Sequence, residues 1–166
     1  MELGPSIDYV NRIENRSVPL EQAVQNIVDR HTKDLSTIIH KIRTLLKDDT
    51  DQLTDLEIDD ILLQLPIVLY DITDDQEVVG LQADLASQIY KESYNEAYKI
   101  ARGTVGDKTS VAELNTMIQK LDSQIYDRAY RLVKQKVAMA VETLNAVKRV
   151  HESRMQRYNF RPRSFN

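Results

Sequence analysis

The segment from Ala101 to Leu114, ARGTVGDKTSVAEL, holds two glycines, a lysine and a threonine in the order a phosphate-binding loop uses them. Such a loop would make the chain a nucleotide hydrolase. That chemistry needs G-x-x-x-x-G-K-[ST] between a strand and a helix, so that backbone N–H groups cradle the phosphates and the lysine reaches the terminal ones. Here Gly103 and Gly106 are only three residues apart, and Asp107 stands between the second glycine and Lys108. Its carboxylate would repel a phosphate. The preceding YKESYNEAYKI has a helical pattern, not that of a strand. Spacing, charge and context all argue against the loop. The segment instead predicts a turn between two helices. Gly103 closes the first in the left-handed conformation open to glycine, and Ser110 with Glu113 opens the second as a capping box.

Other catalytic groupings are equally sparse. His31, His40 and His151 lie far apart, and neither H-E-x-x-H nor E-x-x-H occurs, which argues against a zinc protease or a di-iron bundle. There is no cysteine, hence no disulfide, thiolate or zinc–cysteine site. No nucleophile elbow of the G-x-S-x-G kind appears. The acidic run DDTDQLTDLEIDD lacks the glycine and closing glutamate of a calcium loop. It reads as a solvated acidic face, or as one that docks against the basic half of a neighbour. No metal, cofactor or small-molecule substrate is expected, and the chain is not expected to be an enzyme.

The tyrosines are more suggestive. Tyr90, Tyr94 and Tyr98 lie four apart and share one helix face, with Lys91, Lys99 and Arg102 beside them. Tyr126 and Tyr130 repeat the spacing, with Arg128, Arg131, Lys134 and Lys136 close by. Cations for phosphates and aromatic faces for bases are what holds single-stranded nucleic acid, each stacked base being worth about 1–3 kcal/mol. The competing reading is a bundle core lined by tyrosines with their hydroxyls at the rim. The C-terminal stretch KRVHESRMQRYNFRPRSF adds six cations and three aromatic rings, and fits a nucleic-acid arm, a docking peptide or a solvated tail.

The elements that must carry these residues are almost all helical. After an arm over residues 1–16, apolar positions from Leu20 to Leu46 repeat at helical spacing and predict a helix over 17–47, with Ser17 as cap and Pro19 in its first turn. Thr54 and Glu57 form a capping box for an acidic helix over 54–72, kinked or broken at Pro66. Thr73 and Gln76 open a third helix over 75–102, predicted to bury Val78, Leu81, Leu85, Ile89 and Ala97. The last helix, over 109–158, shows no break, and residues 159–166 form a flexible basic tail. About 50 residues at 1.5 Å each would span roughly 75 Å, more than one chain of 166 residues is expected to cover alone. The expected fold is therefore all-α, a helical bundle or hairpin in one domain with one very long C-terminal helix. It is oligomeric, with Leu132, Val133, Val137, Val141, Leu144 and Val147 at the interface between copies.

Composition and charge bound the setting. The longest apolar stretch, ILLQLPIVLY, has 10 residues, where a membrane span needs about 20. The opening MELGPSIDYVNR has no basic region followed by an apolar run, so no secretory leader is expected. A soluble, cytoplasmic chain follows. The net charge of −4 hides a middle segment, residues 48–84, of −12 and a last segment, residues 117–166, of +7. Such asymmetry bears on partners rather than on fold.

One resemblance enters here. LQADLASQIYKESYNEAYKIARG, a short polar loop and YDRAYRLVKQKVAMAVETLNAVKRVHESRMQ together resemble the UvsY-like recombination mediators of phages, over roughly residues 78–157. The match is one of organisation and residue type. It implies a ring-forming accessory protein without enzymatic activity that binds single-stranded DNA, helps to remove the single-strand-binding protein and helps to load the recombinase. Carried onto this chain, it gives Tyr94, Tyr98, Lys99, Arg102 and Lys108 to the DNA and the long helix to self-assembly. The alternatives are a phage structural or assembly protein, which would place it in the virion, and an acidic adaptor that imitates nucleic acid and inhibits a host protein.

Overall fold

The computed structural model describes residues 7–47 and 54–159, with side chains over 17–45 and 54–157. Four α-helices make up the described chain, and among the described residues there is no strand: α1 (Ile7–Lys47), α2 (Asp55–Ile100), α3 (Val105–Asn115) and α4 (Met117–Asn159). The fold is all-α, as the periodicity requires. The acidic turn at residues 48–53 and the basic tail at 160–166 lie outside the described residues.

The chain divides into two compact units. Residues 1–31 and 76–133 form the first, and residues 32–75 and 134–166 the second. α1, α2 and α4 each contribute a segment to both. In the second unit the three segments bury Leu35, Ile38, Ile42, Ile58, Ile61, Leu65, Ile72, Ala140, Leu144 and Val147 in one core. The first unit's core is smaller: Val24, Val28, Val79, Ala129 and Val133, with Ile27, Ile125 and Tyr130 against it. The apolar stripe read along the first helix is therefore the buried face of α1.

Several expected boundaries move. α1 starts at Ile7 and runs through Ser17 and Pro19, so Pro19 is a helix-interior residue rather than a first-turn one. Its departure from helical geometry comes instead at the buried Thr32 (φ −126°, ψ 16°). The two middle helices are one: α2 continues through Pro66, and Thr73 donates its hydroxyl to the Leu69 carbonyl at 3.1 Å, as a helix-interior residue does. Ile58, Ile61, Leu65 and Ile72, on both sides of Pro66, share one core. Burying that face outweighs the loss of one backbone donor at the proline.

The capping boxes follow the same logic with one shift. Thr54 and Glu57 cap α2 as expected, the Thr54 N–H donating to Glu57 Oε2 at 2.8 Å and the Glu57 N–H to Thr54 Oγ1 at 3.3 Å. The box that opens α3 is Thr104 with Asp107, and Ser110 and Glu113 sit inside the helix. The last helix is not continuous. Thr116, buried and at φ −113°, ψ 16°, ends α3, with its N–H and hydroxyl both on the Ala112 carbonyl. α4, with 43 residues, is one of three long helices beside α1 with 41 and α2 with 46. This corrects the expectation that its length leaves it without neighbours in one chain. In each unit segments of α1 and α2 cover its buried residues.

The expected inner face of α2 is also corrected. Val79 and Ala83 are buried, whereas Val78, Leu81, Leu85 and Ile89 are exposed. Two apolar stripes run along this helix, and among the described residues the one with Val79 and Ala83 is buried while the other is exposed.

Candidate nucleic-acid interface

The site is built on the end of α2 and the turn into α3, within the first unit. Tyr90, Tyr94 and Tyr98 succeed one another at one-turn spacing. The ring centroids are 6.2 Å apart with planes tilted by 59° in the first pair, and 6.3 Å apart and stacked at 20° in the second. They continue the α2 face that holds Val79 and Ala83, and all three are half-buried. Each tyrosine is therefore partly covered by the chain and partly open, which combines the two readings of the tyrosines.

The turn presents the cations. Ala101 is buried, Lys99 and Arg102 are exposed, and Gly103 adopts φ +116°, the positive value predicted for it. A Cβ at Gly103 would lie 2.8 Å from Asp107 Oδ2 and 2.9 Å from its Cβ, so the turn needs glycine for space as well as for conformation. Asp107 is held in the cap. It accepts from the Thr104 hydroxyl at 2.8 Å and the Thr104 N–H at 2.9 Å. The hydroxyl first, and then the N–H, hold its carboxyl below the ordinary value of 3.8. The residue that spoils a phosphate loop is thus the one that starts α3. The next residue, Lys108, carries its ammonium 6.0 Å from the centre of the Tyr98 ring, a cation–π contact. Tyr94, Tyr98 and Lys108 are therefore in contact, and Lys99 and Arg102 lie beside them in sequence, at the end of α2 and in the turn to α3. Sequence reasoning named these residues but not the Lys108–Tyr98 contact, because spacing along a helix says nothing of what lies across a turn.

The other four expected nucleic-acid residues do not join them. The ring of Tyr130 closes on Gly80, where a Cβ would meet ring carbon Cε2 at 3.2 Å. Tyr98 lies 18 residues further along α2, roughly 27 Å at 1.5 Å per residue. Arg128 and Arg131, close to Tyr130 in α4, instead line a groove of about 440 Å³ with Glu21, Val24, Gln25 and Leu132. Arg131 is also paired with Asp127. Lys134 and Lys136 belong to the second unit. Lys134 is exposed there, while Lys136 donates to Thr32 Oγ1 at 3.1 Å and Ser36 Oγ at 3.5 Å. It lines a cavity of about 500 Å³ with His40 and Arg43.

The residues expected between copies divide likewise. Val133, Leu144 and Val147 are buried by the chain's own helices and Val137 is half-buried, while Leu132 and Val141 are exposed. The acidic segment also finds partners within its own unit. Lys41 pairs with Asp60 at 2.6 Å, His151 with Asp59 at 3.7 Å and Arg154 with Asp55 at 3.4 Å. These acids stay about half-exposed, in keeping with a solvated acidic face, and are also met by Lys41 of α1 and by His151 and Arg154 of α4 in the same unit. Among the described residues no group of three or more histidines and carboxylates is placed to hold a metal ion. Among them, too, no helix is long and apolar enough to cross a membrane. No protein-family model, curated protein or solved structure matches this chain.

Proposed function

We propose that the chain is a non-enzymatic, single-stranded-DNA-binding accessory protein of phage recombination, a UvsY-like mediator acting as an oligomer in the host cytoplasm, with a recombinase and a single-strand-binding protein as partners. The observation that supports the binding surface is the grouping of Tyr94 and Tyr98 with exposed Lys99, Arg102 and the Tyr98-stacked Lys108 at one end of the first unit. The lysines and the arginine neutralise phosphates, and the half-buried tyrosine rings supply aromatic surface on which bases stack. The mechanism is one of charge and geometry. Several copies present the strand together, so that avidity replaces tight single contacts.

Binding of a fluorescent oligonucleotide to wild type and to Lys99→Ala/Arg102→Ala tests this reading. Wild-type affinity falls steeply as salt rises. The double variant binds more weakly with a shallower salt dependence, by about 0.7 in log–log slope for each phosphate no longer neutralised, and its oligomer size does not change. Unchanged affinity removes the site.

A second reading, a structural or assembly protein of the virion, is favoured by the exposed apolar face of α2. Such a protein assembles with copies of itself and ignores the oligonucleotide.

A further inference from the structure

α2 leaves apolar side chains exposed in both units, Leu56, Leu63, Ile67 and Tyr70 in the second and a further stripe in the first. It is the first-unit stripe that lies in the same unit as a groove of opposite charge. Val78, Leu81, Leu85 and Ile89 are 43%, 66%, 57% and 46% exposed. Their spacing of three, four and four puts them on one stripe of the helix. Contiguous exposed side chains of this size mark a docking face rather than ordinary surface. Its border is acidic: Glu77, Asp84 and Glu92 are all exposed, with Gln88 donating to Glu92 at 2.9 Å.

The same unit holds a surface of opposite character. The groove of about 440 Å³ between α1 and α4 is lined by the apolar Val24 and Leu132 and by the cations Arg128 and Arg131. Leu132 is 39% exposed, so the chain itself does not fill the groove. Glu21 also lines it, at the α1 side. Arg131 is bound to Asp127 one helical turn away. An exposed pair at that spacing is weak and can exchange for a carboxylate that brings an apolar contact with it.

From this apolar fit and opposite charge we infer that the occupant of the groove is a second copy of this chain. The α2 stripe of one copy seats Leu81 and Leu85 against Val24 and Leu132 of the next, and Glu77 and Asp84 approach Arg128 and Arg131. Donor and receiver are different surfaces, so the contact is head-to-tail. Each added copy leaves one donor and one receiver open, and the assembly closes as a ring or extends as a filament. This takes up the self-association part of the proposed function and gives it its two faces. Arg128 and Arg131 then serve assembly rather than the DNA strand.

The test reads mass by light scattering and sedimentation without nucleic acid, so its failure is separate from failure of oligonucleotide binding at Lys99 and Arg102. Wild type forms species larger than one chain that grow with concentration. Leu85→Asp removes the donor and Arg128→Glu/Arg131→Glu the receiver. Each weakens association more than tenfold and leaves the helical circular dichroism unchanged, because all three side chains are exposed. A one-to-one mixture of the two variants gives a two-chain species and nothing larger, since one good face survives in each. The chain has no cysteine, so an independent check oxidises Leu85→Cys chains mixed with Leu132→Cys chains. Cross-linked pairs form in the mixture and not from either alone. A monomeric wild type, a variant of wild-type size, or a mixture that stays monomeric and uncross-linked overturns the inference.

Discussion

The two units put similar material to different use. The second packs ten buried apolar residues from three helices and answers Asp55, Asp59 and Asp60 with Arg154, His151 and Lys41. The first packs five, leaves the Val78–Ile89 stripe in solvent, and gathers Lys99, Arg102 and Lys108 around a half-buried tyrosine ladder. Both units keep apolar side chains in solvent, the second at Leu56, Leu63, Ile67 and Tyr70 of α2. The contrast therefore lies in the size of the core and in where cations and rings gather, not in which unit has surface to spare.

The contrast breaks most visibly under leucine truncation. Leu65, fully buried in the second unit, loses both transfer energy and packing on Leu65→Ala, and denaturant unfolding should show a loss of about 2–5 kcal/mol. Leu85→Ala in the first unit, on an exposed face, should move the same measurement by no more than about 0.5 kcal/mol at a concentration where the chain is dissociated. If the two cost the same, the units do not differ as described.

Gly80→Leu tests how closely the smaller core is packed. The Tyr130 ring already sits 3.2 Å from where a Cβ would be. The larger side chain must displace it, at about 1–3 kcal/mol. A stabilised variant would mean that the ring swings aside without loss.

The α3 cap is a smaller, pH-dependent contribution. Thr104→Ala removes the hydroxyl that bonds Asp107 and should cost about 1 kcal/mol, read from the thermal midpoint. The carboxyls of Asp107 and of Glu57, the latter held chiefly by the Thr54 N–H and then its hydroxyl, lie below their ordinary values of 3.8 and 4.5. Their folded pKa values are depressed, so their stabilisation is complete above those ordinary values. It is lost as pH falls through the folded ones. Acid titration of Thr104→Ala should show less of this loss than wild type, with the Glu57 share intact. Smallest of all is Arg154→Ala. It breaks a pair at 3.4 Å with the half-exposed Asp55 and should cost less than about 1 kcal/mol, with the difference shrinking in high salt.

How much of this was legible beforehand varies by element. The inner face of α1, the Thr54–Glu57 box and the positive φ of Gly103 follow from local chemistry, because the residues that decide them lie within a few positions of one another. The continuity of α2 through Pro66 and Thr73 does not, since it depends on Leu65 and Ile72 finding the same core. Nor does the choice between its two apolar stripes. Val78, Leu81, Leu85 and Ile89 read as the core face from their spacing, but the face with Val79, Gly80 and Ala83 is the one α4 packs against, with Tyr130 against Gly80. For the site, residue types pointed to cations and rings. Helical spacing could not say that Arg128 and Arg131 would stand apart from Tyr98, or that Lys136 would turn to Thr32. Those facts depend on which helix lies alongside.

The proposed function stands on the first unit's α2–α3 end holding single-stranded DNA while the second unit's cations do not. The direct measurement is the affinity of a fluorescent oligonucleotide across a salt series for three proteins: wild type, Lys99→Ala/Arg102→Ala, and Lys148→Ala/Arg149→Ala in the second unit. Tight, salt-sensitive binding is predicted for wild type and for the second-unit variant, with a marked loss in the first-unit variant alone. Equal affinity in all three, or a greater loss from the second-unit pair, would contradict it.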